Sequence, residues 1–107
     1  ATGFPYYDYE RVDSYFEVLK RIAQNSRGVR RMGSAAVDLV YTACGRFDAF
    51  FEYSLHAWDV AAGAFIVQEA GGKISDFSGG NNWLFGKEIV ASNGLLTKEV
   101  LEATKRI

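Results

Sequence analysis

Residues 58–72 read W-D-V-A-A-G-A-F-I-V-Q-E-A-G-G, and past the opening Asp59 the only polar side chains in this run are Gln68 and Glu69. A helix that is apolar almost all round has no face to turn to water, so it is normally buried between layers of structure. This segment predicts a layered domain with the helix inside it. The glycine pair Gly71-Gly72 closes the run. Ala61, Ala62 and Gly63 in its first turns allow another backbone or a ligand to come close.

The flanking pattern alternates between helix and strand. Thr2-Gly3-Phe4-Pro5 reads as the end of a strand entering a turn, punctuated by glycine and the lone proline. Residues 8–25 place Tyr9, Val12, Phe16, Leu19 and Ala23 on one face of an amphipathic helix that stops near Asn25-Ser26-Arg27-Gly28. After a short extended stretch at 29–32, a second helix opens at Gly33-Ser34, with Ser34 as N-cap and Gly45 just past its C-terminus.

Residues 46–54 alternate as a strand, with Phe47, Ala49, Phe51 and Tyr53 on one face and Asp48, Phe50 and Glu52 on the other. Strands at 73–77 and 88–92 follow, separated by a Gly79-Gly80-Asn81-Asn82 loop. A last helix over 97–107 turns Val100, Leu101 and Ile107 inward. This order predicts an α/β fold: one layered domain, residues 1–107, with a mixed β-sheet flanked by helices.

A chain of 107 residues with 49% hydrophobic content can build a core of its own. The net charge of −1 creates no basic field for nucleic acid or an anionic membrane, and no apolar run approaches the roughly 20 residues of a membrane span. Cys44 has no intrachain partner, and its Y-T-A-C-G setting reads as buried and inert, which fits a reducing cytoplasm.

Chemistry concentrates at helix starts. Asp59 sits where the apolar helix begins and reads either as an ordinary N-cap or as a ligand for a divalent cation. Helix N-termini carry unpaired N–H groups and partial positive charge, which suits phosphate. Glu52, seven residues earlier, reads either as a solvated strand carboxylate or as an acceptor for a substrate hydroxyl. The Gly33-Ser34-Ala35 turn reads as tight helix packing or as a contact for a polyol or phosphate. Arg27, Arg30 and Arg31 form a small basic patch. His56 reads as structural, and Trp58 and the Phe and Tyr residues read as core.

G-S-A-A-V-D-L-V-Y-T-A-C-G-R-F-D-A-F-F-E (33–52), H-A-W-D-V-A-A-G (56–63) and E-A-G-G (69–72) together resemble the C-terminal half of inositol monophosphatases. T-G-F-P and I-V-A-S-N look like bacterial members, so the likeness covers essentially the whole chain. It implies the C-terminal subdomain of that fold, a Mg²⁺-dependent hydrolase of phosphate monoesters, and a homodimer when intact. By the same resemblance Asp59 is the metal-ligating aspartate that also lies against substrate, Glu52 binds an inositol hydroxyl, and Gly33, Ser34 and Ala35 contact the substrate.

The family's G-E-E-type glutamate and D-P-x-D-G-T segment have no counterpart here, since Pro5 is the only proline. Without that N-terminal metal-binding half, which is the expected partner, the catalytic set is incomplete and the chain is expected to be inactive alone. Relatives acting on fructose bisphosphate or 3′-phosphoadenosine phosphate stay open as alternatives. So does a non-catalytic partner-binding domain, because some bacterial relatives contact the transcription machinery.

Overall fold

The computed structural model describes all residues 1–107. Seven elements follow in the order α1 (Val12–Asn25), α2 (Ala35–Ala43), β1 (Ala49–Tyr53), α3 (Ala57–Glu69), β2 (Lys73–Ser75), β3 (Glu88–Ser92) and α4 (Thr97–Thr104). The strands form one sheet of order β1-β3-β2, and both pairings are antiparallel, with Phe50 opposite Ala91 and Glu52 opposite Ile89. The mixed character expected of the sheet is confined to its edge, where Thr2 makes an isolated parallel bridge to Phe51.

Alternation along the strands builds two cores, one on each side of the sheet. Phe50, Ile89 and Ala91 pack with Ala35 and Leu39 of α2 and with Val60, Ala64 and Val67 of α3. Phe51, Tyr53 and Val90 face the other way, onto Tyr15 of α1, Phe77, Val100 and Leu101 on the inner side of α4, and Ile107 just beyond it. The sheet is thus covered by helices on both faces, as expected of an α/β layered domain.

The buried side of α1 differs from the expected one. Tyr15 and Val18 are buried and Leu19 and Ile22 partly so, while Tyr9 and Phe16 lie open to solvent. The phenol explains the choice. Tyr15 Oη donates to the Gly3 carbonyl at 2.8 Å and lies 2.9 Å from Thr2 Oγ1, which donates to the Phe51 carbonyl at 2.7 Å. Burying Phe16 instead would forfeit these bonds, and they clamp residues 1–3 beside β1.

The apolar helix corrects a second expectation. α3 buries Val60, Gly63, Ala64 and Val67 against α2 and the sheet, but Trp58, Ala61, Ala62, Phe65 and Ile66 form an exposed stripe on its far side. Within these residues α3 has a layer on one side only. Trp58 is 79% exposed, so the reading of it as core is also overturned, as it is for Tyr6, Tyr7 and Phe85. Cys44 ends α2 exposed rather than buried. No helix is long and apolar enough to cross a membrane.

Candidate functional site

The expected site residues fall on three neighbouring pieces of backbone. Gly33 has φ +80°, a left-handed conformation that favours glycine, and it turns the chain into α2. Ser34 caps that helix by accepting the Val37 N–H at 3.3 Å, as expected, and Ala35 is buried behind it. Glu52 stands near the end of β1 on the face shared with Phe50. Asp59 lies in the first turn of α3.

Asp59 is not the N-cap. That position belongs to His56, whose backbone N–H donates to Asp59 Oδ2 at 2.8 Å, so the carboxylate reaches back from the third helical position in a capping-box arrangement. His56 Nδ1 lies 3.6 Å from the same oxygen, and its ring stacks on Trp58 with centroids 4.4 Å apart. The cap engages Oδ2 alone, which leaves Oδ1 uncommitted.

Glu52 is buried, which excludes the solvated-strand reading, whereas Asp48 on the same strand face is exposed. A β-carbon on Gly3 would run into the Glu52 carboxylate, so Gly3 is what lets the N-terminal segment pass so close. Burial, reinforced by the charge of Asp38, pushes the Glu52 carboxyl up to about 7. Arg31 opposes that rise and Asp59 adds to it. The structure therefore brings Glu52 within electrostatic reach of Asp59. The Gly33 turn is tied to Glu52 through Arg31, whose guanidinium a β-carbon on Gly33 would meet.

Asp38 went unnoticed in the sequence. It is fully buried on α2 and neither carboxylate oxygen has a hydrogen-bond partner. Burial pushes its carboxyl up to about 6, opposed by the Ala1 amine and Arg31. Its spacing from Ala35, Leu39 and Thr42, all on the inner stripe of α2, is the signal that places it inside.

The structure thus sets two carboxylates and two small-residue helix starts on one side of the sheet. The chain belongs to the inositol monophosphatase family, whose model matches residues 7–107. It is 48% identical over 102 residues to the putative Nus factor SuhB of Neisseria meningitidis serogroup B, covering 95% of this chain and 39% of that protein. The Nus factor SuhB of Pseudomonas aeruginosa is 45% identical over 103 residues, with 94% and 38% covered.

Among solved structures, the extragenic suppressor protein suhB of Bartonella henselae superposes with a TM-score of 0.90 at 39% identity, over 97% of this chain and 40% of that one. Inositol monophosphatase from Anabaena gives 0.86 at 34%, over 99% and 43%. The chain thus spans about two fifths of the length of these relatives.

Proposed function

We propose that these residues are the C-terminal, substrate-orienting subdomain of a Mg²⁺-dependent phosphate-monoester hydrolase acting on inositol monophosphate or a related polyol phosphate, a homodimer when intact and inactive as this chain alone. The observation that carries the reading is Glu52, a carboxylate kept in a buried place although burial and neighbouring charge both oppose its ionisation. Such a group is costly unless a ligand uses it. A hydroxyl of a polyol is a fitting donor. The Gly33–Ala35 turn offers backbone close to the same ligand. The α3 N-terminus biases the place beside Asp59 toward an anion.

Magnesium prefers octahedral oxygen ligation. No three His, Cys, Asp or Glu side chains of this chain converge, so Asp59 fits as one ligand and not as a complete centre. When bound, the ion supplies Lewis-acid stabilisation of the phosphate ester. The chain's own groups do the rest of what is assigned here: Glu52 accepts from the polyol, the turn and the helix start position it, and Asp59 Oδ1 is the oxygen available for a cation.

The relatives named Nus factor favour a second reading, a partner-binding domain without hydrolysis. Phosphate release from inositol 1-phosphate separates the two. The chain alone should release none above background. Mixed with the N-terminal remainder of the Pseudomonas aeruginosa relative, it should gain magnesium-dependent release. Complex formation without release would support the second reading, and robust turnover by the chain alone would refute the first.

A further inference from the structure

Glu52 is not alone in the layer between the sheet and α2. Strand alternation puts it on the face of Phe50, which packs on Ala35 and Leu39 of α2. Asp38 belongs to the same buried stripe of α2. Glu52 keeps 8% of its surface exposed and Asp38 none. One carboxyl therefore opens narrowly to the candidate site, and a second is closed into the same layer.

The two have no close counter-charge. Both Asp38 oxygens lack a hydrogen-bond partner. Arg31 is within electrostatic reach of both groups, but its guanidinium is held over the rings of Phe4 and Tyr6 at 5.6 and 5.4 Å. The side-chain ion pairs of the chain are Arg11 with Glu88 and His56 with Asp59, so Arg31 closes on neither carboxyl. The Ala1 amine, the other cation near Asp38, donates to the Ala49 carbonyl at 2.7 Å. The remaining titratable neighbours of Glu52 are Asp59 from α3 and Tyr15 from α1. Because Asp38 has no exposed surface, a segment laid against the chain from outside would meet other atoms first. Two carboxyls enclosed together without donors ionise together only at high cost, so near neutral pH they hold a proton between them. Burial pushing the two up to about 7 and about 6 agrees with this.

We propose that Asp38 is a positioning residue for Glu52: it touches no ligand itself, and its charge in the shared layer keeps the proton on the Glu52 carboxyl. An acid at that place accepts from one polyol hydroxyl through its carbonyl oxygen and donates to a neighbouring one, a two-point contact. It also sets no negative charge beside a phosphate ester, which a carboxylate would repel. This role rests on the reading of Glu52 as a polyol contact, and it makes the affinity for an anionic polyol depend on a residue behind the site.

Carboxyl-carbon NMR titration of the 107-residue chain in magnesium-free buffer reads each midpoint directly. Asp38→Asn should keep the amide spectrum of the fold and lower the Glu52 midpoint by about one pH unit. Glu52→Gln should lower the Asp38 midpoint by the same amount, because coupling is reciprocal. In wild type each of the two resonances should titrate in two steps, a readout that needs no variant to fold. In the enzyme completed by the N-terminal remainder of the Pseudomonas aeruginosa relative, KM for inositol 1-phosphate should rise with pH as Glu52 loses its proton. With Asp38→Asn that rise should begin about one pH unit lower, and kcat should move less than KM. A Glu52 midpoint unmoved by Asp38→Asn, or single-step titration of both groups in wild type, would overturn the pairing. Midpoints that move while the KM profile stays in place would overturn the positioning role. Absence of turnover would instead overturn the polyol reading beneath it, and the midpoints would still decide the pairing.

Discussion

Replacing Glu52 with Gln should make the protein more stable at high pH and leave it unchanged at low pH. The Glu52 carboxyl titrates near 7 in the fold against an ordinary 4.5, because burial and the Asp38 charge disfavour its ionised form. Between those two values the folded chain holds a proton that the unfolded chain has already released. Stability therefore falls as pH rises through that window. Below it both states are protonated and nothing is lost; above it the loss is complete. At about 1.4 kcal/mol for each pH unit separating the two values, the ceiling is about 3 kcal/mol.

Water reaching the partly open edge of the group and relaxation around it reduce this to about 2 kcal/mol. Gln keeps the volume and a polar head beside Gly3 while removing the charge. Urea unfolding of wild type and Glu52→Gln at pH 4 and pH 8 measures the effect. The two should agree within about 0.5 kcal/mol at pH 4, and the variant should lead by about 2 kcal/mol at pH 8. A difference of the same size at both values would show that Glu52 is not an electrostatically strained group.

Gly63→Ala should destabilise the chain by about 1–2 kcal/mol in the same assay. The new methyl would lie 2.6 Å from Leu39 Cβ, on the stiff root of a buried side chain, and overpacking of this kind outweighs the gain of about 1 kcal/mol in helix propensity. Equal or higher stability would show that α2 and α3 separate freely. Asp59→Ala should cost about 1 kcal/mol by losing the bond to the His56 N–H, whereas Asp59→Asn, which keeps an acceptor there, should stay within about 0.5 kcal/mol of wild type. Phe65→Ser/Ile66→Ser, on the open stripe of α3, should lower light scattering in concentrated solution without loss of thermal stability.

The order of helices and strands was readable from periodicity because each period reports a local geometry. The strand at Ala49–Tyr53 shows this best, since its alternation assigns Phe50 and Phe51 to opposite cores. What periodicity cannot rank is two adjacent aromatics. Tyr15 and Phe16 both sit at the edge of a plausible stripe, and the choice depends on hydroxyl partners 12 and 13 residues away.

Likewise an all-apolar helix does not reveal which of its sides is covered. For α3, residues 1–107 supply cover for one. The position of Asp59 was read one turn too early, because a carboxylate at the third helical position and one at the cap look alike in sequence. Glu52 and Asp59 could be chosen as site residues from the W-D-V-A-A-G and F-F-E patterns. The burial of Glu52 comes from Gly3, 49 residues earlier, and is not visible locally, whereas that of Asp38 was legible in its helical spacing from Ala35, Leu39 and Thr42.

The most direct measurement is magnesium-dependent phosphate release from inositol 1-phosphate by this chain joined to the missing length of a relative, comparing wild type with Asp59→Asn. If Asp59 Oδ1 holds one position of a magnesium centre, the variant should fold and assemble normally yet lose at least about a hundredfold in rate. Retention of the full rate by the variant would contradict the assignment of this carboxylate, and with it the site built around it.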